Sequence, residues 1–90
     1  MKVVEKARIE NKLGLHLRAA AELVKVANKF KCQITVSQSI QHANAKSLMG
    51  LLTLAATKDT EIEIAADGDD AKEAVAALRE LIAKKFGEKE

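Results

Sequence analysis

The sequence predicts a two-layer α+β domain spanning residues 1–90, one sheet with helices on one of its faces. Three observations carry this reading. Apolar and polar residues alternate in some short stretches and recur at helical spacing in others, in the order βαββαβα. A link of only two residues between the second and third strands requires those strands to run antiparallel. Hydrophobic residues make up 48% of the chain and aromatics only 2%, so the core must be aliphatic, filled by Leu, Ile, Val and Ala.

The elements follow in order. Lys2 to Glu10 alternates, with Val3, Ala7 and Ile9 on one side, and reads as a strand. Asn11 to Gly14 is a loop. Leu17 to Phe30 is helical, with Ala20, Leu23, Val24, Ala27 and Phe30 sharing a face and Glu22, Lys25 and Lys29 elsewhere. Gln33 to Ser37 is a short strand, Gln38-Ser39 a turn, and Ile40 to Ala43 the returning strand. Ser47 to Ala55 places Leu48, Leu51, Leu52 and Ala55 at helical spacing. Glu61 to Ala65 alternates again, pointing Ile62 and Ile64 one way. Asp67-Gly68-Asp69 is a turn, and Asp69 or Asp70 suits the cap of the last helix. That helix is expected to run to about Phe86 on a stripe of Ala71, Ala74, Val75, Leu78, Leu81 and Ile82, to stop at Gly87, and to leave Glu88-Lys89-Glu90 frayed.

Composition excludes several classes. Cys32 is the single cysteine, so no internal disulfide forms, and no Cys/His spacing suits a metal. Cys32 reads as a small residue near a strand start, and His42 as a strand residue without ligand neighbours. No apolar run approaches membrane-spanning length and the N-terminal stretch lacks a signal peptide's character, so a soluble, cytoplasmic monomer is expected. Net charge is +2, but residues 1–58 carry ten Lys/Arg and three Asp/Glu, whereas residues 59–90 carry five and ten. The basic portion fits an acidic or phosphorylated partner.

The basic portion also holds the chemistry, in Gly14-Leu15-His16-Leu17-Arg18. Gly14 loosens the backbone just before a helix, and His16 falls at the helix start. The first amides of a helix lack internal partners, and with the macrodipole they form an anion site. That environment opposes an added positive charge, so an imidazole there is expected to keep a lone pair that can attack phosphorus. Arg18 adds a planar cationic fork for phosphoryl oxygens. Phosphoryl transfer needs little beyond positioning and charge compensation, so a small site suffices. There is no Walker glycine loop and no metal-binding carboxylate pair, which points to a carrier and away from a free-standing enzyme.

The run Asn11-Lys12-Leu13-Gly14-Leu15-His16-Leu17-Arg18-Ala19-Ala20-Ala21 resembles the active-site signature of the HPr family, the histidine phosphocarriers of the bacterial sugar phosphotransferase system. A second block, Ala45-Lys46-Ser47-Leu48-Met49-Gly50-Leu51-Leu52-Thr53-Leu54, resembles the family's regulatory serine segment, and the likeness extends over the whole chain. It implies an open-faced sandwich: a four-stranded antiparallel sheet in order 1-4-2-3 with three helices. It implies phosphorylation of His16 at Nδ1 by enzyme I, which draws on phosphoenolpyruvate, and transfer to the A component of an enzyme II. Arg18 would be the charge partner, and Ser47 the site of an HPr kinase/phosphorylase. No cofactor is implied. Of Leu48 and Met49, one is expected to face the core and the other to form an apolar contact patch with Leu17 and Ala21 at the partner interface, with Lys12, Lys25 and Lys46 as a basic rim that speeds encounter.

Two departures stand out. The family's proline after the arginine is Ala19, which should leave the helix start formed but less rigid. Leu17 replaces a small residue beside the histidine, either as harmless packing or as a change of partner preference. The chain is therefore expected to serve sugar uptake, its regulation, or a nitrogen-type branch, with a regulatory paralogue acting by protein binding as an alternative. Ser47 reads both as the cap of the second helix and as a switch, since a phosphate there carries about −2 charge. A nucleic-acid-binding module is disfavoured, because two aromatics assigned to the core leave no stacking platform and no GXXG loop exists.

Overall fold

Alternation builds the sheet. The chain is described over residues 1–90 by a computed structural model. In β1 (Lys2–Arg8), Val3 and Ala7 turn toward the core while Lys2, Val4, Lys6 and Arg8 stay exposed. β2 (Gln33–Gln38) buries Ile34 and Val36, β3 (Gln41–Asn44) buries Ala43, and β4 (Glu61–Asp67) buries Ile62, Ile64 and Ala66. All pairings are antiparallel, and the strand order is β1-β4-β2-β3. The last strand in sequence thus sits inside the sheet beside β2, and these two interior strands bury Ile34, Val36, Ile62, Ile64 and Ala66.

Three helices cover one face, as expected. α1 (Leu17–Ala27) buries Ala19, Ala20, Leu23 and Ala27. α2 (Leu48–Leu52) buries Leu51, and α3 (Ala71–Ala83) buries Ala71, Ala74, Val75, Leu78 and Ile82. α3 lies over β1 and β4, α2 sits beside β3, and α1 packs on both other helices. These stripes and the inward strand positions form one core of 23 buried residues, aliphatic except for Phe86 and Cys32. No helix is long and apolar enough to cross a membrane.

The structure corrects several boundaries. The hairpin turns one residue later than the composition suggested: Gln38 pairs with Gln41, so Ser39 and Ile40 form the loop. Ser39 takes φ 57°, the sense of turn that matches strand twist, and Ile40 is 92% exposed where a strand position had been expected. α1 stops at Ala27 because its ladder tightens there: the Lys29 and Phe30 amides reach back only three residues, to Val26 and Ala27. Phe30 still rests against the core. α2 is one turn long, and Ala55, with φ 51°, is exposed, leaving Leu54 as the next buried residue. α3 ends at Ala83, and Lys85, Phe86 and Gly87 form a left-handed turn with φ of 58°, 56° and 82°. Phe86 is buried by this turn and not by the helix.

Asp70 occupies the N-cap position of α3, but its carboxylate does not cap. It accepts the amides of Lys31 at 2.8 Å and Cys32 at 3.0 Å, tying the start of β2 to α3. The Lys31 amide, with help from Cys32, holds the Asp70 carboxyl below the usual range against a smaller opposing effect of desolvation. Burial, reinforced by Asp70, pushes the Cys32 thiol up, so Cys32 is an inert core residue.

Two outcomes are expected. At Gly14, φ is +69° and a Cβ would lie 2.5 Å from the Ala56 carbonyl oxygen, whereas at Gly87, φ +82°, nothing lies within 4 Å. Urea denaturation should therefore show Gly14→Ala losing about 3 kcal/mol or more, and Gly87→Ala only the left-handed cost of about 1 kcal/mol. Because its folded pKa is depressed, Asp70 contributes stability fully present above the ordinary carboxylate range and lost as pH falls through the folded value. Asp70→Ala should lower the denaturation midpoint at neutral pH, and the gap to wild type should close in acid.

Candidate functional site

A sharp turn delivers His16 to the mouth of α1. Gly14, left-handed, lies against the backbone of Ala56 and Thr57. The Leu15 amide donates to the Ala56 carbonyl at 2.8 Å, and the Leu15 side chain enters the core. Sending Leu15 inward turns the next side chain outward. His16 is the N-cap residue, with φ −81° and ψ −178°, and its carbonyl accepts the Ala20 amide at 2.8 Å. Its ring makes no capping bond, so no side chain takes the first-turn amides of Leu17, Arg18 and Ala19. Ala19 and Ala20 are fully buried, which fixes the helix start without proline.

The ring is 27% exposed and the Arg18 side chain 66% exposed. The two are brought together by a residue expected to fray. Glu88, only 8% exposed, places Oε2 against His16 Nε2 and 3.2 Å from the Arg18 guanidinium. Its Oε1 accepts from Asn11 Nδ2 at 2.9 Å. Asn11 is itself fully buried, and the same amide nitrogen donates to the Gly14 carbonyl at 2.7 Å. The Lys12 amide donates to the Glu90 carbonyl, which pins residues 88–90 alongside the loop. The frayed end expected at Glu88-Lys89-Glu90 is therefore corrected: the left-handed turn at Lys85–Gly87 and the burial of Phe86 reverse the chain onto the site.

Burial pushes the Glu88 carboxyl up, but the Asn11 hydrogen bond, the His16 hydrogen bond and the charges of His16 and Arg18 outweigh it and hold the group below the usual range. Glu88 is then an ionised, acceptor-only group, so Nε2 must be the nitrogen that donates. In a neutral ring the lone pair then resides on Nδ1.

The remaining residues singled out in the sequence divide. Leu17, Ala21 and Lys25 are exposed along α1, and Met49 projects from α2 at 72% exposure. Leu48 rests partly on the core. Lys46 is half-buried, and its Nζ donates to the Phe30 carbonyl at 2.7 Å, so it closes the end of α1 more than it lines a rim. Ser47 caps α2, its Oγ accepting the Gly50 amide at 3.1 Å. His42 is exposed on β3, away from any group that could hold a metal. Asn11, Leu13 and Glu88 escaped the sequence reading. Leu13 is exposed and lines a hollow with Lys12, Arg18, Glu88, Lys89 and Glu90. A polar loop residue and a glutamate beyond a helix end carry no periodic signal that marks them.

Comparison with known proteins shows the family and the fold. The family model described as PTS-HPr, PTS HPr component phosphorylation site, matches residues 3–84. The phosphocarrier protein HPr of Neisseria meningitidis is 48% identical over 82 residues, covering 91% of this chain and 92% of that one. The crystal structure of HPr-C-His from Thermoanaerobacter tengcongensis superposes with a TM-score of 0.90 at 42% identity, covering 100% of this chain and 99% of that one. An HPr dimer from the same organism matches at TM-score 0.78 and 46% identity, over 89% of this chain and 92% of that one. With its sheet order, its helix-mouth histidine and these likenesses along the whole chain, the protein belongs to the HPr family of phosphotransferase-system phosphocarriers.

Proposed function

We propose that His16 is the phosphoryl acceptor, loaded by phosphorylated enzyme I and ultimately by phosphoenolpyruvate, and that it passes the group to an enzyme II A component. The observation that carries this is the placement of His16 as an uncapped N-cap residue, ring accessible, beside Arg18. In the forward step the Nδ1 lone pair attacks phosphorus as the bond between phosphorus and the donor breaks, the bonding pair leaving with the donor. The reverse displacement, by a nucleophile on the acceptor protein, releases the ring. The first-turn amides and Arg18 offset the phosphoryl charge in both steps. The protein supplies position and charge compensation and carries the group covalently, so it acts as a carrier in the cytoplasm and not as a catalyst by itself. One copy over residues 1–90 contains the whole constellation, so a monomer suffices.

Leu17, Ala21 and Met49, exposed around this end of the molecule, with Lys25 nearby on α1, are the proposed contact surface for both partners. Leu48 and Lys46, which are half-buried, would contribute at its margin. Ser47 is proposed as a substrate for an HPr kinase/phosphorylase. A phosphate there would sit on a partner-facing surface that otherwise suits acidic proteins, and would weaken docking by like-charge repulsion. The projecting Leu17 supports a partner preference shifted from that of relatives with a small residue there, toward a regulatory or nitrogen-type branch.

Two experiments follow. Mixed with phosphoenolpyruvate and a cognate enzyme I, the protein should take up one acid-labile phosphoryl group, and His16→Ala should take up none. Arg18→Ala should slow loading by about a hundredfold, the low end for removing a charge-stabilising donor because the guanidinium is largely exposed. Loading that survives His16→Ala would overturn the assignment. Separately, an ATP-dependent kinase should add an acid-stable phosphate that is absent in Ser47→Ala and that slows loading of His16 without unfolding the protein.

A further inference from the structure

We propose that Glu88 is a positioning residue for His16, holding the ring by Nε2 and thereby reserving Nδ1 for the phosphoryl group. This rests on the carrier reading and adds to it a residue that neither the active-site run nor the serine segment contains. Several independent features converge on Glu88. Two non-glycine residues, Lys85 and Phe86, adopt left-handed backbone, which is costly, and burial of Phe86 holds them there. The turn they make is what directs Glu88 back toward α1. The carboxylate is then clamped from the far side by Asn11, whose amide nitrogen spends one hydrogen on Glu88 at 2.9 Å and the other on the Gly14 carbonyl at 2.7 Å. Asn11 and Gly14 belong to the very loop that presents His16, so ring and carboxylate are fixed to one frame.

The chemistry gives this frame a purpose. A carboxylate accepting the hydrogen of one imidazole nitrogen fixes the tautomer and raises the basicity of the other nitrogen. When Nδ1 attacks phosphorus, positive charge develops on the ring, and Glu88 lies where it offsets that charge. No proton needs to leave: Nε2 keeps its hydrogen on Glu88 while the P–N bond forms at Nδ1. The groups around the ring and carboxylate are Arg18 from α1, Lys12 from the loop, and Lys89 and Glu90 beyond Glu88. Arg18 shares the Glu88 oxygen at 3.2 Å but is largely exposed, so it is free to swing to an arriving phosphoryl group at little cost.

Proton and nitrogen NMR of the ring tests this directly. In 15N-labelled wild type a downfield proton coupled to His16 Nε2 should be observed. In Glu88→Ala it should vanish into solvent exchange. The maximal rate of loading by enzyme I should fall about tenfold, the lower end for losing a supporting carboxylate, with KM for enzyme I unchanged. Glu88→Gln, which keeps an acceptor oxygen but no charge, should lie between, and both variants should keep the wild-type amide spectrum elsewhere. An unchanged Nε2 signal, an unchanged or faster rate, or a change confined to KM would overturn the proposal. If wild type accepts no phosphoryl group the carrier reading fails instead, while the Nε2 proton still reports whether Glu88 holds the ring.

Discussion

The close approach of Gly14 to the backbone of Ala56 and Thr57 is the constraint on which the rest of the site depends. It lets the Leu15 amide reach the Ala56 carbonyl and drives the Leu15 side chain into the core, and successive side chains then have to part. Leu15 goes in and His16 comes out. Burial of Ala19 and Ala20 one turn later locks the axis of α1 behind the histidine. His16 is thus placed by apolar burial on either side of it, and its own side chain makes no capping bond to the turn. That division leaves the ring free for chemistry.

Electrostatics at this point are balanced by groups of the chain itself. Positive character comes from the helix mouth and Arg18, and negative character from Glu88, with Asn11 fixing the carboxylate's other oxygen. Each contact at the surface is weak taken singly, and geometry makes the group work. A site assembled from one loop, one helix turn and one returning segment can also open to a partner's surface without disturbing the core beneath it.

The sequence shows the layers of this fold clearly because burial has a period. Ile62, Ile64 and Ala66 in β4, and Ala71 through Ile82 in α3, lie where alternation and helical spacing place them. The candidate site was equally legible in its local placement, since a glycine before a helix-starting histidine, followed by an arginine, has a direct chemical meaning and the structure sets His16 at the N-cap of α1. What the sequence hid is whatever depends on a few local angles. Ile40 looks like a strand residue yet sits in the hairpin loop, because register is decided by the turn and not by hydrophobicity. Asp70 looks like a cap yet serves β2. Glu88 looks like a solvated end, and only the left-handed turn at Lys85–Gly87 brings it home. The apolar Phe86 just past the helix was the one available hint that the segment is anchored.

The proposed carriage turns on which ring nitrogen of His16 takes the phosphoryl group. The most direct measurement is the 31P spectrum of the phosphorylated, 15N-histidine-labelled protein. A single phosphoramidate coupled to Nδ1 of His16, with Nε2 still protonated, is the expected result. A phosphoramidate on Nε2, or one borne by His42, would contradict it.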